Sequence, residues 1–250
     1  MIDLILVGTV HLDPQGGNGL SKIIENLQPS ILTVEISGFS VRYRLSNRKK
    51  WLIRLEYLKY KLPEEKRDHS RLKLLELQLQ IPFEWEVASR YGKANNIPCL
   101  PIDNSELARK ELPLWKSEVL SSKNLLKITY EPDFDLDEHF RECHSQAKTA
   151  LAKPNFFTKP GQQLSWLSNR SWEKREKTLA HRIKRVHENA LPNHGSHRET
   201  NSCHIHICGW MHLMTGTRWK TMADLLSRLN PDRILLTRMG IGSANDYLII

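Results

Sequence analysis

Two histidines stand in matched surroundings near opposite ends of the chain. His11 closes Gly-Thr-Val-His and is followed by Leu12; His212 closes Gly-Trp-Met-His and is followed by Leu213. Each Gly-x-x-His-Leu comes after an apolar run, Ile-Asp-Leu-Ile-Leu-Val in the first case and His-Ile-His-Ile-Cys in the second. With 12 glycines and 11 histidines in 250 residues, chance alone supplies ~0.5 Gly-x-x-His matches, so the context carries the signal. Imidazole exchanges a proton or ligates a metal near neutral pH, and two of them converging on one point suggest a metal or an acid–base pair. Glu35 closes the apolar segment Ile31 to Val34. A glutamate there is costly to bury without a partner, unless the strand has simply reached solvent. His11, Glu35 and His212 make a two-histidine, one-carboxylate set. That composition suits a divalent metal such as Mn, Co or Zn with a position left for water.

These residues need elements to bring them together. Residues 2–7 read as a buried strand, "LSKIIENL" as a helix with Leu20, Ile23, Ile24 and Leu27 on one face, and "SILTVEIS" as a second strand. A β-α-β opening implies parallel strands, a right-handed crossover and helices on the sheet faces. Pro63 and Pro82 divide a charged helical stretch from Val41 to Asn96, with Pro82 starting a helix that ends near Asn95. "IPCLPID" is a third strand whose prolines confine it to an edge. Residues 104–190 are helical in period, 188–202 form a polar connection, "CHIHIC" returns to strand, "RWKTMADLLSRL" is a helix and "DRILLTRM" a last strand. The expected fold is therefore α/β: a mixed, mainly parallel central sheet flanked by helices, in a single domain over 1–250. A largely helical insertion occupies approximately 104–200. Ligands bind such sheets beyond the carboxyl ends of the strands, where both Gly-x-x-His segments fall.

Charge and composition narrow the class. The net charge of +9 attracts something anionic without naming it, and 40% hydrophobic with 26% charged residues suits a globular chain. Four cysteines with no Cys-x-x-Cys argue against a disulfide framework and fit a cytoplasmic protein, with Cys99 and Cys208 as buried thiols. No apolar stretch reaches the roughly 20 residues that cross a bilayer.

Other clusters are weaker. "DFDLDEHF" spaces acids like a calcium loop, but Glu138 stands where glycine is needed and His144 where glutamate is. His204 and His206 alternate on one strand face, too nearly parallel to close a metal site alone. His187, His194 and His197 read as solvated loop residues. The run from Arg42 to Lys61 mixes Tyr43, Trp51, Tyr57 and Tyr60 with basic residues, which would suit nucleic acid or an anionic membrane surface. Trp51, Leu55 and Leu58 at helical spacing favour an amphipathic helix with its basic face in water.

"LVGTVHLD", "QPSILTVEIS" and "HICGWMHL" together resemble the TraB/PrgY–Tiki superfamily, which also takes in ChaN-like haem-binding proteins and erythromycin esterases. Its two Gly-x-x-His motifs and its glutamate after the second strand are matched here. "EWEVA" (Glu84 to Ala88) followed by "CLPID" (ending at Asp103) matches a third block, and Arg175-Glu176 in "KREKTLAHRI" a looser fourth. Where TraB-type members carry an arginine five residues after the glutamate, this chain has Ser40, with Arg42 and Arg44 just beyond. The resemblance implies an α/β domain with one crevice and, in the Tiki branch, a divalent-metal-dependent peptidase. On that footing His11, Glu35 and His212 are expected to hold the metal. Glu35 or Glu84 would serve as base, and Arg175 would steady an oxyanion or a substrate carboxylate, the substrate being a peptide or small molecule. Glu84 as a helix-start charge, Arg175 as a surface charge and Asp103 as a helix cap are the plainer readings, and for Asp103 the cap is preferred. A non-catalytic binding or signalling protein, with haem as the lesser ligand, is the alternative function; a nucleic-acid-associated protein is the third.

Overall fold

A computed structural model describes residues 3–153, 170–190, 203–217, 219–238 and 247–250. Strand β1 (Asp3–Thr9), helix α1 (Gly16–Leu27) and strand β2 (Ile31–Val34) open the chain. Helices α2 (Gly38–Tyr60), α3 (Ser70–Leu79) and α4 (Phe83–Asn95) follow, then β3 (Cys99–Pro101). Next come α5 (Ser105–Glu111), α6 (Ser122–Ile128), α7 (Leu136–Ala152) and α8 (Arg170–Ala190). Strand β4 (Cys203–Gly209), the short α9 (Met222–Leu225), β5 (Asp232–Leu236) and β6 (Tyr247–Ile249) complete it. The prolines act as punctuation: α2 ends before Pro63, and Pro82 caps α4, whose other end is closed by Asn96 in the left-handed region.

The sheet order is β3-β2-β4-β1-β5-β6, parallel except for β6. β4 lies directly beside β1, Asp3 opposite Cys203 through Thr9 opposite Gly209. Both Gly-x-x-His segments therefore leave neighbouring strands at the same end, with β2 on the far side of β4. β3 is an edge strand, as its prolines require.

Alternation assigns each strand residue to a face. Ile5, Val7, Leu32, Val34, Ile205 and Ile207 pack against α1 and α4. Leu4 and Leu6 face the opposite layer of α7, α8 and α9, with Phe140, Leu179 and Ile183 over them. A third cluster joins α2, α3 and α6 through Trp51, Leu55, Leu58, Leu72, Leu79 and Leu125. Trp51, Leu55 and Leu58 are thus core residues.

Four details depart from the sequence reading. Cys99 is only half-buried, on the edge strand, whereas Cys208 is buried as expected. Among the described residues of "RWKTMADLLSRL", only α9 and a 3₁₀ turn, Ser227–Leu229, are helical. The antiparallel β6, too short to show a period, was not foreseen. His187 is not a solvated loop residue: it lies in the last turn of α8, buried and stacked on His204 with ring centroids 5.6 Å apart. His194 and His197 fall outside the described residues. No described helix is long and apolar enough to cross a membrane.

Candidate active site

The two imidazoles sit at the carboxyl end of the sheet, and each is held by a carboxylate from the helix layer on its own side. On the α1/α4 side, Thr9 ends β1 and His11 follows. Glu84, in the first turn of α4 and buried, accepts a hydrogen bond from Thr9 Oγ1 (2.8 Å) and pairs with His11 Nδ1 (2.7 Å) through the same oxygen. Leu12 adopts φ of 65°, a left-handed conformation that costs a non-glycine residue of order 1 kcal/mol or more and turns the chain sharply after His11. Asp13 then ties this loop down, pairing with His144 (2.7 Å) on α7 and Arg238 (2.9 Å) beyond β5.

On the α7/α8 side, His212 lies in a 3₁₀ turn, Trp210–Leu213. Its Nδ1 is 2.6 Å from Glu176 Oε1 and its Nε2 is 2.9 Å from Glu35 Oε1. Trp172 of α8 stacks on the ring, centroids 4.9 Å apart and planes 11° off parallel. Glu176 also accepts the Met222 amide (2.5 Å), the first N–H of α9, so one buried carboxylate fixes both the histidine and a helix start. Glu35, just past β2, accepts the Gly209 amide at Oε2 (2.8 Å), while Arg175 Nη2 reaches its Oε1 (2.6 Å) and Asp103 Oδ2 (2.8 Å). Arg182, one turn pair further along α8, binds the carbonyl of Ile102 (2.7 Å) and holds the helix to the end of β3.

Charge follows from these contacts. Burial opposes ionisation of His212, yet Glu35 and Glu176 outweigh it and hold its pKa up to about 10. The ring is an imidazolium at neutral pH. Burial likewise disfavours the Glu35 carboxylate, but His212 and Arg175 keep its pKa well below the usual range. His11 differs from His212 in being open to solvent, with 51% of its side chain exposed against 2%. Its crevice surroundings resist its charge, and its bond to Glu84 and the two nearby glutamates more than offset that, raising its pKa. An added Cβ on Gly209 would meet His11 Nε2 at 2.7 Å, so only glycine lets the ring lie over this turn.

The structure brings His11, Glu35, Glu84, Arg175 and His212 to one end of the sheet. Glu84 grips His11, and Arg175 is engaged by two acids. Asp103 is not the cap of α5; Asn104 is, accepting the Glu106 amide, and Asp103 pairs with Arg175. Sequence reasoning missed the roles of Thr9, Asp13 and Glu176. A signal for the last existed: Glu176 lies on the stripe Trp172, Leu179, Ala180 and Ile183 that α8 buries, where a lone carboxylate demands a partner.

The donors suit a divalent metal in kind. Both histidines face a buried carboxylate at Nδ1, His11 through a hydrogen bond to Glu84 and His212 through an ion-pair contact with Glu176, the usual support of a metal-bound imidazole, which leaves Nε2 as the remaining donor. In this structure, however, Glu35 Oε1 is paired with Arg175 and His212, and no three His, Cys, Asp or Glu side chains among the described residues are grouped to hold an ion. A bound ion would replace the proton on His212 and share Glu35 with Arg175.

Compared with known proteins, the chain matches no family model, no curated protein and no solved structure.

Proposed function

We propose that the chain is a hydrolase of acyl bonds, peptide or ester, with His11 as the group that moves the proton. The observation that carries this reading is the contrast between its imidazoles. His212 is sealed between two carboxylates, whereas His11 is solvent-accessible and oriented through Nδ1 by the buried Glu84. A carboxylate behind Nδ1 fixes the tautomer and stabilises the imidazolium formed when Nε2 accepts a proton from water, an arrangement typical of general bases. Glu84 is then a positioning residue. His212 and Arg175 keep Glu35 ionised at the crevice floor, and Asp103 holds Arg175 in place beside it.

A second reading shares the crevice and rests on the Nδ1 anchoring of both rings: His11, Glu35 and His212 hold a divalent metal, Mn, Co or Zn. Such an ion, when bound, would acidify a water and polarise the carbonyl.

Purified protein assayed on a panel of peptides and esters tests both. The first reading expects turnover that falls about 10²–10⁴-fold in His11→Ala and survives a chelator. The second expects a stoichiometric metal, lost in His11→Ala and His212→Ala, and activity abolished by chelation. Turnover indifferent to His11 would sink both.

A further inference from the structure

A cavity of about 290 Å³ runs from His11, Glu35 and Glu84 outward between α2 and α5, and its far end is walled by Ser40, Arg44, Leu107, Leu112 and Trp115. The charges along it are nearly all matched. Glu35 and Asp103 are paired with Arg175 and His212, and Glu84 is hydrogen-bonded by His11 and Thr9. Glu111 is exposed at the rim. Arg44 is the exception. Its guanidinium lies on the Trp115 ring, 4.7 Å from the centroid, and its bonds run to neutral oxygens only: Gln78 O (2.6 Å), Gln80 O (3.0 Å) and Ser40 Oγ (3.2 Å). These use Nη1 and Nε. Among the described residues no carboxylate stands within ion-pair distance of it and no hydrogen bond runs to Nη2. Burial without a counter-ion depresses its pKa to about 10. Closing the last turn of α3 explains Nη1; it does not explain a half-buried, ring-stacked cation left without an anion, its Nη2 unused, on the wall of a cavity that leads to the proposed catalytic histidine.

We infer that this cavity takes the free carboxylate end of an acyl substrate, the anion on Arg44 and an adjoining apolar or aromatic group against Leu107, Leu112 and Trp115. The carbonyl next along the substrate then faces His11. Three physical reasons favour a carboxylate. A guanidinium N–H gives a carboxylate a short, charge-assisted bond and Nη2 still has both of its N–H groups unused, an aromatic face beneath the guanidinium holds it in place, and a partly desolvated cation gains more from an anion than one in water. The inference rests on the hydrolase reading, since it names that crevice's substrate class.

Calorimetric titration of the full chain with N-acetyl-phenylalanine and with its amide tests it. The expected result is that the acid binds about tenfold or more tightly than the amide. Arg44→Lys, which keeps a donor for the α3 carbonyls and the charge but loses the Nη2 donor and the plane stacked on Trp115, should weaken the acid severalfold. Arg44→Gln should bring it to the level of the amide, and neither variant should alter amide binding. Equal affinity of acid and amide, no binding of the acid, or an acid affinity unchanged in both variants would overturn the inference. Should Arg44→Gln fail to fold, the Arg44→Lys comparison and Trp115→Leu, expected to weaken both ligands, still decide. Binding requires no turnover, so a chain that binds the acid selectively but hydrolyses nothing removes the hydrolase reading alone. One that cleaves free and amidated peptides equally well removes this inference alone.

Discussion

Gly8 and Gly209 occupy equivalent places in the two motifs, yet a methyl group has different consequences at each. At Gly209 it would meet only the tip of the His11 ring, a side chain that can swing into solvent. Gly209→Ala is therefore expected to fold with nearly wild-type stability while displacing His11, seen as a loss of turnover and a shifted His11 ring signal in NMR. At Gly8 the methyl would lie 2.5 Å from Leu213 Cδ1 and 2.9 Å from the Trp210 backbone, both packed. Gly8→Ala should cost about 1–3 kcal/mol in urea unfolding through overpacking. A third prediction concerns Glu176, whose side chain is wholly buried. Glu176→Ala leaves the His212 imidazolium without one of its two acids and the Met222 amide without an acceptor. A destabilisation of about 3–5 kcal/mol is expected, the size associated with breaking one half of a buried pair. Loss of under 1 kcal/mol would mean that the pair is not formed in solution.

Among elements, α8 does the most to place the site. It supplies Trp172, Arg175 and Glu176 to the crevice and Leu179, Ala180 and Ile183 to the core, and Glu176 carries its influence to the start of α9. α9 is only four residues long, and a capping box holds it: Thr221 Oγ1 accepts from the Asp224 amide while Asp224 Oδ2 accepts from the Thr221 amide. The Thr221 hydroxyl also donates to the carbonyl of Met214, behind His212. Thr221→Ala should cost about 1–2 kcal/mol, read from the midpoint of thermal unfolding. The elements were largely legible. The strand and helix segments that carry His11, Glu35, Glu84 and His212 follow from period and from the prolines, because those signals are local. "RWKTMADLLSRL" promised a full helix and gave a short one, since propensity yields to the packing of so brief a connection. The face partners were less legible: that Asp103 would turn to Arg175 rather than cap α5 depends on a helix some seventy residues later.

For the molecule as a whole, stability against pH turns on a fully buried polar cluster in the sheet. His204 Nε2 and His206 Nδ1 both meet the Thr33 hydroxyl, at 2.8 and 3.0 Å, and neither histidine is accessible. Burial lowers both pKa values to about 3. The unfolded chain binds these protons near pH 6.5 and the folded one does not, so the stability they contribute is intact above that pH. It is lost as the pH falls from about 6.5 to about 3. His212 acts in the opposite sense: its contribution is complete below about 6.5 and lost as the pH rises through about 10. Between pH 7 and pH 5, urea unfolding should show a fall of about 1–2 kcal/mol for each of His204 and His206, offset in part by a gain of under about 1 kcal/mol from His212. His204→Leu should flatten that dependence even where it changes stability at pH 7; an unchanged slope would show that His204 titrates normally.

The sequence by itself determined the α/β alternation, the edge position of β3, and the placing of both Gly-x-x-His segments after strands. Each of these rests on periods and backbone restrictions within a few residues. Only the tertiary structure decided that β4 inserts between β1 and β2, which brings His212 to Glu35. It also decided that each imidazole takes its carboxylate from the helix layer on its own side of the sheet, and that Arg44 is left without an acid. Pairing between groups seventy or two hundred positions apart depends on strand order and helix packing, and no local pattern encodes either.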